Sequence, residues 1–156
     1  NCGDYPTGLY NRNEAGQIMR EVLHNQQAVQ ALFIVKILNI RQIEERYGRA
    51  AVGKSIQDFA GRLRSCFRKS NILARYSGDE FMVSVIDVPS KEFIEKKCAE
   101  LMQDEVKLEY SIGIAVAAGS DKGQESFMEL ISHADKALSE AGHKGVNKWH
   151  IYESIL

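Results

Sequence analysis

Cysteine is scarce in this 156-residue chain and proline scarcer: there are three cysteines, two prolines and one tryptophan. Cys2, Cys66 and Cys98 are too scattered for a zinc spacing and too few for a disulfide framework, so a reducing, cytoplasmic compartment is expected. His24, His133, His143 and His150 also lack ligand spacing. No apolar run approaches the roughly 20 residues of a membrane helix, which argues against membrane contact by this segment. Charge of one sign is missing too. Twenty basic and 21 acidic residues leave a net charge of -1, removing the broad attraction on which nucleic-acid binding rests. Repeats, low-complexity tails and a signal peptide are absent. The first residue is not Met, as in a domain excised from a larger signalling protein. What remains, 44% hydrophobic and 26% charged, is the make-up of one folded domain spanning 1–156.

The hydrophobic pattern alternates between two periods. After a turn-rich opening, Ala15, Ile18, Met19, Val22 and Leu23 recur at helical spacing and predict a helix over about 11–25. The apolar run 31–38, interrupted only by Lys36, predicts a strand covered on both faces. Helical patterns follow over 40–47 and 50–67, then a strand over 72–76 with a hairpin partner over 81–86, closed by Pro89. Ser90 opens a helix to about 102, residues 107–116 alternate as a strand, 124–141 reads as a helix and 149–152 as a last strand. Strands interleaved with helices, plus one hairpin, predict an α/β sandwich on a mixed sheet. Cys66, Cys98 and Trp149 are expected to pack in the core.

The segment joining the hairpin strands carries the most chemistry. Ala74-Arg75-Tyr76-Ser77-Gly78-Asp79-Glu80-Phe81 sets two small residues and two adjacent carboxylates between apolar flanks. Ser77 and Gly78 supply the unusual φ/ψ of a tight turn, leaving Asp79 and Glu80 at its tip, where a hard cation or a metal-bound phosphate is met.

This octapeptide resembles the signature of GGDEF domains, the family of diguanylate cyclases, with Ser77 for the first glycine. Other segments extend the resemblance over nearly the whole chain. Residues 4–12 are similar to D-x-L-T-G-L-x-N-R, with Pro6 for Leu, and Tyr47-Gly48 matches the family's Tyr-Gly. Ser111-Ile112-Gly113-Ile114-Ala115 looks like S-I-G-I-A, Ala134-Asp135-Lys136-Ala137-Leu138 like A-D-x-A-L, and Gly145-x-Asn147 like the turn after it. The resemblance implies a nucleotidyl cyclase palm-like fold, with a central five-stranded mixed sheet flanked by helices. It also implies a reaction in which two GTP-loaded domains face each other. Mg²⁺, held by the signature carboxylates and a first-strand aspartate, helps each 3′-hydroxyl attack the partner's α-phosphate.

Carried onto this chain residue by residue, that machinery is incomplete. Asp79 and Glu80 remain as catalytic and metal-binding remnants, but the first-strand aspartate falls at Lys36. At about 4 Å and an effective dielectric near 20, one unit-charge interaction is worth roughly 4 kcal/mol, so the exchange reverses a large term. Two placements are open to Lys36: an ion pair with Asp79 in the metal's place, or snorkelling to solvent. The guanine-contacting Asn and Asp align with Glu44 and Gly53, and the triphosphate-holding Lys and Arg with Gly142 and Val146. Lys144 and Lys148 lie nearby, as substitutes for those cations or as surface residues. The backbone amides around Asn39 and Ile40 survive as an anion-attracting helix start. The family's product-inhibition motif R-x-x-D falls on Arg68 and Asn71; a solvated face of Arg62, Arg64, Arg68 and Lys69 is the alternative.

The resulting reading is a degenerate GGDEF domain without cyclase activity, acting as a regulatory or dimerising module in cyclic di-GMP signalling. Active cyclase, or a weak GTP or cyclic di-GMP binding module, stands as the alternative. No cofactor is expected, with Mg²⁺ only if nucleotide binds. A fused sensor domain, an EAL phosphodiesterase domain and a homodimer are the expected partners.

Overall fold

The computed structural model describes residues 3–25, 29–103, 108–117 and 126–152. Its elements run α1 (Arg12–Asn25), β1 (Gln30–Ile37), α2 (Ile40–Tyr47), α3 (Arg49–Cys66), β2 (Ile72–Arg75), β3 (Glu80–Ile86), α4 (Lys91–Leu101), β4 (Tyr110–Ala117), α5 (Phe127–Lys144) and β5 (Lys148–Tyr152). The predicted order and types hold, with no boundary displaced by more than three residues. Cys2 and residues 107, 124 and 125 lie outside the described residues.

The sheet order is β2-β3-β1-β4-β5, with β1 antiparallel to β3 and β4, β2 antiparallel to β3, and β5 parallel to β4. The apolar run of β1 is explained by its central place, since its two faces serve two cores. Phe33, Val35 and Ile37 meet Ile43, Phe59, Leu63 and Ile94 from α2, α3 and α4. Leu32 and Ile34 meet Met19, Leu130, Ala134 and Leu138 from α1 and α5.

Local chemistry ends the helices where it must. Asn11 and Glu14 cap α1 reciprocally, each side chain accepting the other's backbone N–H at 3.0 Å. Ser126 and Glu129 do the same for α5, and these bonds hold the Glu129 carboxyl below its ordinary range. Gly48 joins α2 to α3 at φ 93°, a left-handed conformation that explains glycine in the Tyr-Gly pair. Gly113 is required for another reason: a Cβ there would lie 2.2 Å from the Leu138 nitrogen and 2.3 Å from the Ala134 carbonyl oxygen. The S-I-G-I-A segment thus lets α5 settle directly on β4.

Candidate functional site

The signature loop crosses from β2 to β3 beside the C-terminal end of β1. It is wider than a two-residue turn: Tyr76 and Ser77 both donate backbone N–H bonds to the Glu80 carbonyl, at 2.8 and 3.1 Å. Neither Ser77 nor Gly78 adopts a positive φ, contrary to the expectation of a tight hairpin. Glu80 is already the first residue of β3, so only Asp79 lies in the loop proper.

Two attachments fix this loop. Ile37 donates its N–H to the Asp79 carbonyl at 2.8 Å, pinning it to β1. Arg75 Nη2 donates to the Gly78 carbonyl at 2.9 Å, while Nη1 lies 3.4 Å from Asp4 Oδ2. Asp4 also accepts from Thr7 Oγ1 at 2.6 Å and from the Thr7 N–H at 3.2 Å. Arg75 and Asp4 are 18% and 21% exposed, enough burial for the pair to matter structurally. Sequence reasoning passed over Arg75; an arginine in β2 with an aspartate in the turn-rich N-terminal loop was the only available signal.

Lys36 stands directly opposite Glu80 in the β1–β3 register, and opposite Ser111 on its other side. Following the alternation of Leu32 and Ile34, both Lys36 and Glu80 belong to the face covered by α1 and α5. Of the two placements open to Lys36, the ion pair with Asp79 is not found among the described residues: Lys36 stands across from Glu80 in the strand register, and Asp79 accepts from Ser77 Oγ at 3.2 Å. Burial pushes the Glu80 carboxyl above its ordinary range, and the neighbouring charges of Asp79 and Asp135 push it further; Lys36 and Arg12 pull the other way. Arg12 also lies over the Tyr76 ring, 4.4 Å from its centre. Asp135 and Arg12 therefore belong to this charge group, although sequence spacing could not assign them to it.

Carboxylate coordination of Mg²⁺ needs several oxygen ligands around one point. Here a lysine faces one of the two signature acids, and among the described residues no three His, Cys, Asp or Glu side chains gather to hold a metal. The side chains present do not fit the ion.

The positions aligned with nucleotide contacts lie on α2, α3 and α5 and in the turn after α5. Glu44 is exposed and lies 3.5 Å from Arg49 Nε. Gly53 faces open space, Gly142 has only Ser111 Oγ near a built Cβ, at 3.9 Å, and Val146 is 47% exposed. Lys144 reaches across to β5, donating to the Trp149 carbonyl at 3.2 Å and lying 3.0 Å from His150 Nδ1, while Lys148 is exposed. The Asn39 side chain accepts the Glu109 N–H at 2.9 Å, and Ile40 opens α2.

A cavity of about 590 Å³ brings Arg68 and Asn71 together with Arg64, Lys69, Glu14 and Tyr10. Asn71 is 9% exposed and its Oδ1 has no hydrogen-bond partner. The idea of a uniformly solvated arginine face fails in part: Arg62 Nη1 donates to the Leu101 carbonyl at 2.9 Å and to Tyr110 Oη at 3.0 Å. Arg64 donates to the Thr7 carbonyl. Arg68 and Lys69 are exposed, as expected. Cys98 is buried, Cys66 only half so, and burial raises both thiols above their ordinary range.

Comparison with known proteins completes the description. Diguanylate cyclase A of Treponema denticola is 29% identical over 148 residues, covering 90% of this chain and 38% of that protein. Cyclic di-GMP phosphodiesterase PdeB of Shewanella oneidensis is 24% identical over 155 residues, covering 94% of this chain and 18% of that protein. The chain thus spans well under half the length of these curated relatives. A microbial GGDEF domain described in a novel interaction mode with bis-(3,5)-cyclic di-GMP superposes with a TM-score of 0.86 at 24% identity, covering 96% of each chain. The sequence model for "Diguanylate cyclase, GGDEF domain" matches residues 2–148, and with this sheet, hairpin and motif set the chain belongs to the GGDEF domain family of cyclic di-GMP signalling.

Proposed function

We propose that this is a degenerate GGDEF domain, lacking cyclase activity, that serves as a regulatory module within a longer, cytoplasmically exposed signalling protein. The observation that carries the reading is the cross-strand pairing of Lys36 with Glu80, where cyclase chemistry calls for a third carboxylate. The open surface at Gly53 and Gly142 and the apolar Val146 support it, because the family's base and phosphate contacts align with them. Asp79 and Glu80 are then remnants of the signature, without turnover. Residues 1–156 act as one domain whose partners are a sensor, an EAL phosphodiesterase domain or a second copy. The test is calorimetry with GTP and Mg²⁺, followed by an assay for cyclic di-GMP. No heat up to millimolar GTP and no product are expected. Micromolar binding with turnover would overturn the proposal and identify a working cyclase with relocated ligands.

The Arg68–Asn71 cavity favours a second, compatible reading in which the domain responds to cyclic di-GMP. Arg68 offers a fork suited to phosphate or a guanine edge, and the buried, unpartnered Asn71 Oδ1 is an acceptor awaiting a donor. Calorimetry with cyclic di-GMP tests this separately; absence of binding at 100 μM would remove it. Both concentrations are roughly those at which weak nucleotide sites saturate.

A further inference from the structure

In β1 and β3, Val35 pairs with Phe81 and Lys36 with Glu80, so Lys36 is held at the mouth of the signature loop by strand register rather than by side-chain chance. The register is fixed on both sides, because Lys36 also pairs with Ser111 of β4. A one-residue slip would carry Phe33, Val35 and Ile37 out of one core and Leu32 and Ile34 out of the other. Charges from three further places act on Glu80: Asp79 in the loop, Asp135 on α5 and Arg12 on α1. The group contains three carboxylates and two basic side chains, and the basic ones come from the protein itself.

We infer that Lys36 is the resident cation of this loop, so that the loop is assembled without a divalent ion and its structure does not depend on one. Carboxylates that lie in one another's field repel each other unless a positive charge stands among them. A divalent ion can supply that charge, but so can a tethered ammonium, and the tethered group is always present. The ammonium also repels any incoming cation, so one residue both replaces the ion and excludes it. Ile37 N–H to Asp79 C=O and Arg75 Nη2 to Gly78 C=O then hold the loop by bonds that involve no metal. This inference needs no nucleotide, so its outcome is independent of whether the domain binds GTP or cyclic di-GMP.

The test is titration of the isotopically labelled domain with Mn²⁺, read as paramagnetic broadening of the amide resonances of residues 76–80. Wild type is expected to show no broadening centred on the loop at millimolar Mn²⁺, and no change in melting temperature between EDTA and Mg²⁺. Lys36→Asp should acquire loop-centred broadening with an affinity at least tenfold tighter, and a melting temperature that rises with Mg²⁺. Should Lys36→Asp fail to fold, Lys36→Met removes the ammonium without adding an acid and should also gain broadening over wild type. Loop-centred Mn²⁺ binding by wild type that Asp79→Asn abolishes would overturn the inference. So would absence of any gain in a folded Lys36→Met or Lys36→Asp variant, because the ammonium would then not be what excludes the ion.

Discussion

Rebuilding the lost nucleotide contacts gives the sharpest test of whether function was lost through side chains or through backbone. The substitutions are Glu44→Asn, Gly53→Asp, Gly142→Lys and Val146→Arg, made together with Lys36→Asp. The structure sets the expected cost of each. A Cβ at Gly53 meets nothing within 4 Å, and one at Gly142 meets only Ser111 Oγ at 3.9 Å, an ordinary contact. Neither glycine takes a positive φ, so an added side chain strains neither backbone. Val146 and Glu44 are exposed, and the Glu44–Arg49 pair at 3.5 Å is a surface pair contributing about 0–1 kcal/mol. The gain should be larger. Two charge-assisted phosphate contacts at about 1.5 kcal/mol each and two base contacts at about 1 kcal/mol each sum to roughly 5 kcal/mol, or on the order of several thousandfold in affinity. Because neighbouring contacts are not additive, a hundredfold gain in GTP affinity over wild type, measured by calorimetry with Mg²⁺, is the expected minimum. A folded, rebuilt chain that binds GTP no better than wild type would refute the argument, for the backbone would then no longer present these positions to one ligand.

Four further outcomes are expected. Gly113→Ala drives a methyl into the backbone of α5, with the Leu138 nitrogen at 2.2 Å, and should cost about 3 kcal/mol or more; a melting temperature within 2 °C of wild type, below the roughly 2–4 °C expected per kcal/mol, would contradict it. Asp4→Asn and Arg75→Met should show coupling of about 1 kcal/mol in a double-mutant cycle of urea unfolding, since the two side chains meet at 3.4 Å with little exposure; strict additivity would mean that the pair does not tie the N-terminal loop to the hairpin. Burial first, and the charges of Asp79 and Asp135 next, push the Glu80 carboxyl above its ordinary range. The folded state therefore binds the extra proton, and stability is lost as pH rises through the raised value. Glu80→Gln should accordingly melt slightly higher than wild type at pH 7, with the difference closing below pH 4.5, whereas a lower melting point at neutral pH would reverse this sign. Arg68→Ala should weaken cyclic di-GMP binding tenfold or more through loss of a charge-assisted contact, and unchanged affinity would move any such site away from the cavity.

The fold was readable because its signals are local or periodic. The run in β1 has the length and composition of a strand buried on both faces, Ser90 caps α4 through its own side chain, and Gly48 marks a left-handed junction. Boundaries slipped where tertiary contacts overrode local pattern. Leu38 continues the apolar run of β1, yet its N–H already turns to the Glu109 carbonyl at 2.7 Å and its side chain is exposed. The site was readable in outline only: composition could place a lysine on β1, but not say which acid it would face. That choice is made by register, one residue along β3, and it is why Glu80 rather than Asp79 stands across from Lys36.

Register also accounts for the residues that sequence reasoning missed. Arg12, Arg75 and Asp135 lie on three different elements and share no spacing, but the layering of α1 and α5 over one sheet face brings Arg12 and Asp135 into the field of Glu80. The alternative of a solvated face grouped Arg62 with Arg64, Arg68 and Lys69, yet α3 ends at Cys66 and the last two lie beyond it. The Arg62 guanidinium in fact passes beneath to Tyr110, whose ring is wholly buried against Phe59. A long amphipathic side chain is placed by where its head finds an acceptor, which helical periodicity does not encode. The same physics separates the two kinds of loss in this domain. Gly53 and Gly142 are deletions that leave the surface open, whereas Lys36 is a replacement built into the charge group around Glu80. Deletions can be refilled without reorganising their surroundings; reversing Lys36 adds a fourth carboxylate to three others, so a rebuilt nucleotide site must regain its metal together with its side chains.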